Sequence, residues 1–484
     1  MLEVLHSLAN LSTPLIHGVI FLFNGAEENI LQASHGFITQ HPWAQQVRAF
    51  VNLEASGVGG KELVFQTGPE NPWLVQAYVR AAVHPFASVV GQDIFQSGLI
   101  PSDTDFCIFR DFGNIPGIDL AFIENGFLYH TKYDTPDRIH INSIQRAGDN
   151  ILSVLKHLVM SDELADFSEY RHGNMVFFDM LGLMMVAYPA HVGTVINYMA
   201  VIATVVHLGK KCMLTSSVAG WYLCDLMCAV FLLVLSWIFS LLAVLFVALL
   251  VTLMGRSMFW YTHFYAGVCL YGSAAVSIIL WTHTLAKNQC YWGVSGLCRA
   301  EIWALMFHDL LPHGLAVPYI HIMFLIRVIF EVFTPIQGRN ANGFPPDIFL
   351  LLLVTLATVI LSSYFMHFIY LSRSTKRILA VLMSVFTLIL VLVCCGLFFP
   401  YSADPSNPRP KRVFVQHITR RFHTLDGSLQ SSDSGLCISD LDYTGMQHIT
   451  PHIPQINDSI RTRCHDQLPY CGFPRFLTVE FLVK

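Results

Sequence analysis

The stretch FLFNGAEEN, Phe21 to Asn29, joins an apolar run to a glycine turn and two adjacent carboxylates. The run begins earlier, as IHGVIFLF from Ile16 to Phe23, and short apolar runs of this kind are typical of buried strands. Glu27 and Glu28 therefore follow a predicted strand end, which is where α/β folds collect their catalytic groups. The stretch predicts an α/β domain with a functional site next to these two glutamates.

Strands and helices alternate further along the chain. RAFVNLE, Arg48 to Glu54, and PGIDLAFIE, Pro116 to Glu124, have the pattern of strands, and residues 29–47 can hold a helix. Asn142 to Val159 form a predicted amphipathic helix with one apolar face. The apolar positions of that face are Ile144, Ala147, Ile151, Val154, Leu155 and Leu158. This alternation predicts an α/β layer fold.

Two more candidate site residues stand at strand ends. Glu54 ends the second strand, and His130, in YHTKYDTPD, follows the strand over 117–123. With Glu27 and Glu28 they form a set of carboxylates and one imidazole, which is typical of an oxygen-rich zinc site. One of two neighbouring carboxylates can bind metal while the other accepts a proton from water. The alternatives are a solvated turn for the glutamate pair and ordinary cap or surface positions for the other two residues.

The composition indicates a membrane protein. Of 484 residues, 54% are hydrophobic and only 13% are charged, and the mean hydropathy is +0.52, which is too apolar for a soluble protein. The formal net charge of -5 and the absence of a run rich in Lys and Arg argue against a nucleic-acid partner.

Hydropathy divides the chain into three regions. Residues 1–172 and 400–484 are soluble in character, whereas residues 173–399 carry long apolar runs. A membrane-spanning helix needs about 18 or more such residues, and six runs qualify. They are 176–208, 222–254, 258–285, 314–336, 347–371 and 378–399. The first contains Pro189 and His191, which favours an interfacial helix followed by a shorter span from Val192.

A charged pair lies inside the fourth run. Arg327 and Glu331 are spaced i,i+4, so the two side chains can neutralise each other within a helical bundle. Charges inside a membrane span also indicate a functional site by default. A transporter is therefore a further alternative, although neither an inverted repeat nor paired broken helices accompany the charges.

Charge in the short loops predicts the orientation. The basic residues concentrate in the loops after the first, third and fifth runs, which the positive-inside rule assigns to the cytoplasm. They are Lys210, Lys211, Lys287, Arg299, Arg373, Lys376 and Arg377. Six spans then leave both soluble regions opposite the cytoplasm, in the secretory lumen or at the cell exterior. Asn457, in the N-glycosylation triplet NDS, agrees with a luminal tail, and so do Cys464 and Cys471, which are spaced for a small disulfide loop.

Four segments taken together resemble peptidase family M28, a family of di-zinc aminopeptidases. They are NGAEEN, VNLEASGVGG, SDTDF over Ser102 to Phe106, and YHTKYDT. The resemblance implies a zinc-peptidase domain with a mixed sheet and flanking helices that acts on a peptide or protein. It implies Glu27 as the general base. Glu28 and His130 would bind one zinc ion and Glu54 the other, while SDTDF receives no chemical role.

The membrane region and the tail extend this resemblance. HGNMVFFDMLGL, EVFTPI and HITPHIPQINDSIR are similar to a member of the family that crosses the endoplasmic reticulum membrane several times. The resemblance therefore implies a multi-pass protein of that membrane, with its soluble regions in the lumen.

The sequence departs from the family at the metal site. Members take a His, usually in an H-x-D motif, and a metal-bridging Asp from segments that precede the first helix of this sequence. Neither is present, so we expect an incomplete site and impaired catalysis. We also expect a shortened form of the protein, in which Ala286 to Gly314 replaces a longer region. A non-catalytic pseudo-peptidase that acts as a membrane binding or scaffold protein is the alternative.

Overall fold

The computed structural model divides the chain into two compact units. Unit 1 contains Met1–Tyr222 and Ala316–Val332, and unit 2 contains Leu223–Leu315 and Phe333–Lys484. The residues described are 1–25, 27–28, 30–69, 72–98, 103–165, 173–214, 219–291, 296–311, 316–339, 345–453 and 481–483. The domain boundaries expected at 172/173 and 399/400 stay a prediction.

Unit 1 contains the mixed sheet. Its strands are β1 (Phe50–Ala55), β2 (Gly59–Gly68) and β3 (Gly117–Glu124), in the order β1-β3-β2. β1 runs parallel to β3 and β2 runs antiparallel to it. The strands predicted at 48–54 and 116–124 are thus confirmed. β2 was not predicted because its first half, GGKE, breaks the apolar alternation.

Six helices accompany the sheet. They are α1 (Leu2–Ala9), α2 (Gln32–Gln40), α3 (Pro72–Ala81), α4 (Val89–Gln96), α5 (Asp105–Asp111) and α6 (Ile141–Val159). α2 and α6 confirm the two helices expected between the strands and after them. α6 buries Ala147, Val154 and Leu158 as predicted, but Ile144 is 56% exposed. The buried face is instead completed by polar side chains such as Asn150, which bonds to the backbone of His84.

The strand predicted over Ile16 to Phe23 is wrong. The segment is extended, but the described residues give it no strand partner, and Ile16 and Phe23 are 63% and 59% exposed. A backbone hydrogen bond runs from His17 N to Val159 O at 3.1 Å. An apolar pattern predicts burial, yet a strand also needs a neighbouring strand for its N–H and C=O groups.

The first apolar run does not begin with a helix. It begins with an antiparallel hairpin, β4 (Met175–Met180) and β5 (Met184–Pro189), so the interfacial helix expected there is wrong. Leu181 and Gly182 form the turn with φ values of 58° and 71°, the left-handed pair of a tight hairpin. The β4 residues Met175 and Phe177 pack into the core of unit 1.

The six predicted spans are confirmed with adjusted ends. In chain order the helices are α7 (Ala190–Leu214), α8 (Ala219–Leu253), α9 (Phe264–Tyr291), α10 (Gly296–Leu310), α11 (Ala316–Ile336), α12 (Pro346–Ser363), α13 (Met366–Leu371) and α14 (Thr375–Cys394). Within the described ranges six of them, all except α10 and α13, are long and apolar enough to cross a membrane. The fifth predicted run thus covers two helices, α12 and α13.

Unit 2 combines most of these helices with the tail. α9 packs against α12 and α14, and Asp347 at the start of α12 is buried where α9 approaches it. The tail forms a long hairpin, β6 (Val413–His423) and β7 (Leu429–Asp440), with the short strand β8 (Phe481–Val483) beside β7.

Candidate active site

The structure brings together two predicted ligands that lie about a hundred residues apart in the chain. Glu28 Oε1 contacts His130 Nε2. Glu28 lies in the turn after the extended segment, and His130 lies in the loop after β3. The backbone of His130 is left-handed, with φ at 58°, and its ring stacks on Tyr129 at 3.8 Å between centroids. This unusual backbone conformation turns the imidazole toward the glutamate.

Glu54 lies at the end of β1, beside a second buried carboxylate. Asn52 Nδ2 donates to Glu54 Oε1 and to Asp119 Oδ1, each at 3.1 Å. Burial, followed by the charge of Asp119, raises the pKa of Glu54 to about 7. The sheet register pairs Asn52 with Asp119, and the amide of Asn52 links that acid to Glu54, two residues further along β1.

Asp119 is a site neighbour that the sequence reasoning missed. It lies in the middle of β3, is fully buried, and accepts hydrogen bonds from Thr104 Oγ1 at 2.6 Å and Gln66 Nε2 at 3.2 Å. Burial raises the pKa of Asp119 to about 7 despite these donors. The signal for it was a lone acid inside the apolar strand GIDLAFIE, since a buried acid needs several hydrogen-bond donors.

Asp105 is the second missed residue, and it belongs to the SDTDF segment that received no role. It begins α5, and Asn24 Nδ2 donates to its Oδ2 at 2.6 Å. Its other oxygen, Oδ1, is buried and has no hydrogen-bond partner among the described residues. The negative charge of Asp105 raises the pKa values of Glu27 and Glu54.

Glu27 stands among these acids. Burial, followed by the charges of Glu54, Glu28 and Asp105, raises the pKa of Glu27 to about 7. A carboxyl group with a pKa near 7 can hold or release a proton at neutral pH, as a general base must. The cluster is therefore acidic, poised for proton transfer and electrostatically suited to a cation.

The side chains of this cluster are of the types that bind zinc, but fewer of them converge than a catalytic zinc ion normally needs. Carboxylates and an imidazole are ordinary zinc ligands. Glu28 contacts His130, and Asp105 Oδ1 is a buried acceptor to which no described residue donates. A catalytic zinc ion usually has three protein ligands. In the part of the chain that the structure describes, no three His, Cys, Asp or Glu residues converge to hold a metal ion. The described residues thus bring together two donors of the types that bind zinc, Glu28 and His130.

Three predicted features lie outside the described residues. They are the glycosylation acceptor Asn457 and the two cysteines of the disulfide loop, Cys464 and Cys471. All three stay predictions, and the metal and base roles of Glu27, Glu28, Glu54 and His130 stay predictions as well.

Comparison with known families assigns the chain to a class. Peptidase family M28 matches residues 1–155. The TM domain of endoplasmic reticulum metallopeptidase 1 matches residues 222–311 and 300–394, and the C-terminal domain of the same protein matches residues 408–484. Residues 1–155 therefore belong to peptidase family M28, and the matches that follow them are to a membrane domain and a C-terminal domain.

Curated relatives extend these matches. Across its whole length the chain is 55% identical to endoplasmic reticulum metallopeptidase 1 of Homo sapiens, covering 59% of that protein. It is 33% identical to putative endoplasmic reticulum metallopeptidase 1-A of Caenorhabditis elegans, with the same coverage of 59%. Over 39% of its length it is 35% identical to a vacuolar membrane protease of Yarrowia lipolytica, of which it covers 18%. The chain spans about three fifths of the length of the first two relatives. No solved structure matches it.

These matches and the six candidate spans identify a multi-pass protein of the endoplasmic reticulum membrane. The alignment with the human relative covers 533 positions, more than the 484 residues of this chain, so the relative has internal residues that this chain lacks. The two matched ranges of the TM domain, 222–311 and 300–394, overlap at residues 300–311. This position supports the expectation that Ala286 to Gly314 replaces a longer region.

Proposed function

We propose that the chain is a membrane-bound zinc peptidase domain that acts on peptides in the lumen of the endoplasmic reticulum. Glu27 is the general base, Glu28 and His130 hold one zinc ion, and Glu54 contributes to a second. The observation that carries the proposal is the contact of Glu28 with His130, next to a glutamate whose pKa is raised to about 7.

Each residue of the cluster has a separate role in the proposed hydrolysis. Zinc held at this cluster would supply Lewis-acid polarisation of the scissile carbonyl. Glu27 accepts a proton from the attacking water and returns it to the leaving amine, which balances the reaction and regenerates the base. Asn52 orients Glu54 through its hydrogen bond, and Asn24 does the same for Asp105.

The partial donor set supports a finer proposal about rate. Because two donors converge where a catalytic zinc ion normally has three, the chain by itself binds one zinc ion weakly and hydrolyses little. The same shortfall among the described residues favours the second candidate function, a pseudo-peptidase that binds peptides or partner proteins at the membrane.

Zinc content tests the ligand assignment independently of activity. His130→Ala removes one of the two converging donors, so we expect zinc affinity to fall at least about tenfold. Equilibrium dialysis of the purified chain against zinc, followed by metal analysis by mass spectrometry, measures it. His157→Ala is the matched control, since His157 is an exposed histidine on α6. Equal zinc binding by the His130 and His157 variants would remove His130 from the site.

The orientation of the tail is a separate proposal with its own test. The loop charges support a luminal tail, so Asn457 is available to oligosaccharyltransferase. We expect endoglycosidase to increase the gel mobility of the expressed chain, and Asn457→Gln to abolish that shift. If a protease added to intact microsomes digests the tail, the tail lies on the cytoplasmic side and the proposal is wrong.

A further inference from the structure

The first turns of α8 carry two cysteines on one face. Cys224 and Cys228 are four residues apart, so they lie one above the other on the same side of the helix. Both are free thiols, and both residues are exposed. Their apolar neighbours on that side are exposed as well, at 52% for Leu223, 63% for Met227 and 68% for Phe231. These five residues, which we call the α8 thiol face, combine two sulfur nucleophiles with an apolar surface.

An ion pair places the α8 thiol face at one border of the membrane. Asp225, next to Cys224, is buried and accepts a hydrogen bond from Arg299 Nη2 of α10 at 2.7 Å. The Arg299 side chain is 51% exposed, and an exposed guanidinium near the end of a span extends to the headgroup region rather than into hydrocarbon. The candidate span Leu223–Leu253 has 31 residues, about ten more than the hydrocarbon requires. The thiol face therefore lies near headgroup depth, and the rest of α8 crosses the hydrocarbon.

The loop charges assign that border to the cytoplasmic side. α8 follows the loop with Lys210 and Lys211, and Arg299 lies in the loop after the third span. The positive-inside rule assigns both loops to the cytoplasm. In the same orientation two other exposed cysteines, Cys269 near the start of α9 and Cys395 at the end of α14, lie at the luminal border.

We propose that Cys224 and Cys228 are sites of S-acylation by a long-chain fatty acid. Cysteines beside a membrane span are the positions where this modification occurs. Sγ attacks the thioester carbonyl of a long-chain acyl-coenzyme A, a new thioester forms on the cysteine, and coenzyme A leaves as its thiol with the proton that the cysteine gave up. Met227 and Phe231 offer the attached chain an apolar surface as it enters the hydrocarbon. The assignment rests on the predicted orientation, because the acyl donor is cytoplasmic.

Labelling with an alkynyl analogue of palmitate tests the site on the full chain expressed in cells. After purification the alkyne is coupled to a fluorophore, and neutral hydroxylamine then releases only the label that is held as a thioester. The double variant Cys224→Ser/Cys228→Ser should carry about tenfold less hydroxylamine-sensitive label than the native chain, and each single variant about half as much.

The luminal cysteines supply the matched control. Cys269→Ser/Cys395→Ser removes two exposed thiols from the opposite border and should keep the full label. Equal thermal unfolding midpoints of the two double variants in detergent would show that lost label is not lost folding. A native chain without hydroxylamine-sensitive label, or a Cys224→Ser/Cys228→Ser chain that keeps it, would overturn the proposal.

The orientation can fail separately from the acylation. If the control variant loses the label instead, the acylated cysteines are those at the other border, and both the proposed sites and the predicted orientation are wrong. Glycosylation of Asn457 reports the orientation by itself. A glycosylated tail on a chain whose Cys224 and Cys228 carry no label would refute the acylation and leave the orientation intact.

Discussion

Glu27→Gln should reduce peptide hydrolysis about a hundredfold to ten-thousandfold in a chimera that adds the remaining length of the human relative. Glutamine has nearly the same shape as glutamate but cannot accept the proton of the attacking water. Release of N-terminal residues from a peptide library measures the loss, and chelator sensitivity identifies the metal-dependent fraction.

Since burial and neighbouring acids raise the pKa of Glu27 to about 7, its basic form appears as pH rises through 7. Turnover should therefore increase between pH 6 and pH 8.

The comparison needs three matched proteins. Glu3→Gln, an exposed glutamate on α1, should leave turnover unchanged. The unextended chain should hydrolyse little with either residue at position 27, and zinc content should be equal in the native and Glu27→Gln chimeras. Strong chelator-sensitive turnover by the unextended chain, lost in Glu27→Gln, would show that its donor set is sufficient. A chimera with no turnover at all would favour the binding or scaffold function.

The accuracy of the fold prediction depended on whether the pattern was local. β3 and α6 could be predicted because their alternation and helical periodicity lie within one continuous stretch. The segment from Ile16 to Phe23 has an equally clear pattern, but its pairing depends on a neighbouring strand that its own residues do not specify. The hairpin of β4 and β5 was not predicted for another reason, since Leu181 occupies the first left-handed position of its turn, where Asn, Asp or Gly usually precedes the second residue, here Gly182.

The site residues could likewise be predicted where the signal was local in the sequence, but not where it depended on contacts between distant residues. Glu27 and Glu28 stand out because two like charges follow an apolar run. The contact of Glu28 with His130 depends on the tertiary fold, and only the family resemblance linked them. Asp105 went unassigned because a single acid at the start of a helix carries no pattern, and the lone acid Asp119 in an apolar strand indicates burial but not which residues surround it. Their importance lies in burial and in the charges around them, which the folded chain alone reveals.

Asp347→Ala should produce the largest loss of stability in unit 2. Asp347 is fully buried at the start of α12 and accepts hydrogen bonds from three buried donors in the described chain, with the Ser257 side chain as a further donor. The donors are Met258 N at 3.1 Å, Trp260 Nε1 at 2.9 Å and Tyr271 Oη at 2.7 Å. Removing the carboxylate leaves three buried donors without an acceptor. We expect a cost of about 3–5 kcal/mol, measured as a fall in the thermal unfolding midpoint of the purified protein in detergent.

Asp347→Asn separates hydrogen bonding from side-chain volume. Asparagine keeps the size of the side chain and one acceptor oxygen, so it should lose less stability than alanine while still leaving one or two donors unpaired. Asp404→Ala is the control for removal of an acid at an exposed position and should change the midpoint little. Since Met258 and Trp260 precede α9, Tyr271 lies within it and Asp347 begins α12, this carboxylate joins the start of α12 to α9 and to the turn before α9. If alanine and asparagine at position 347 were both as stable as aspartate, side-chain packing of α9 against α12 would instead provide that connection.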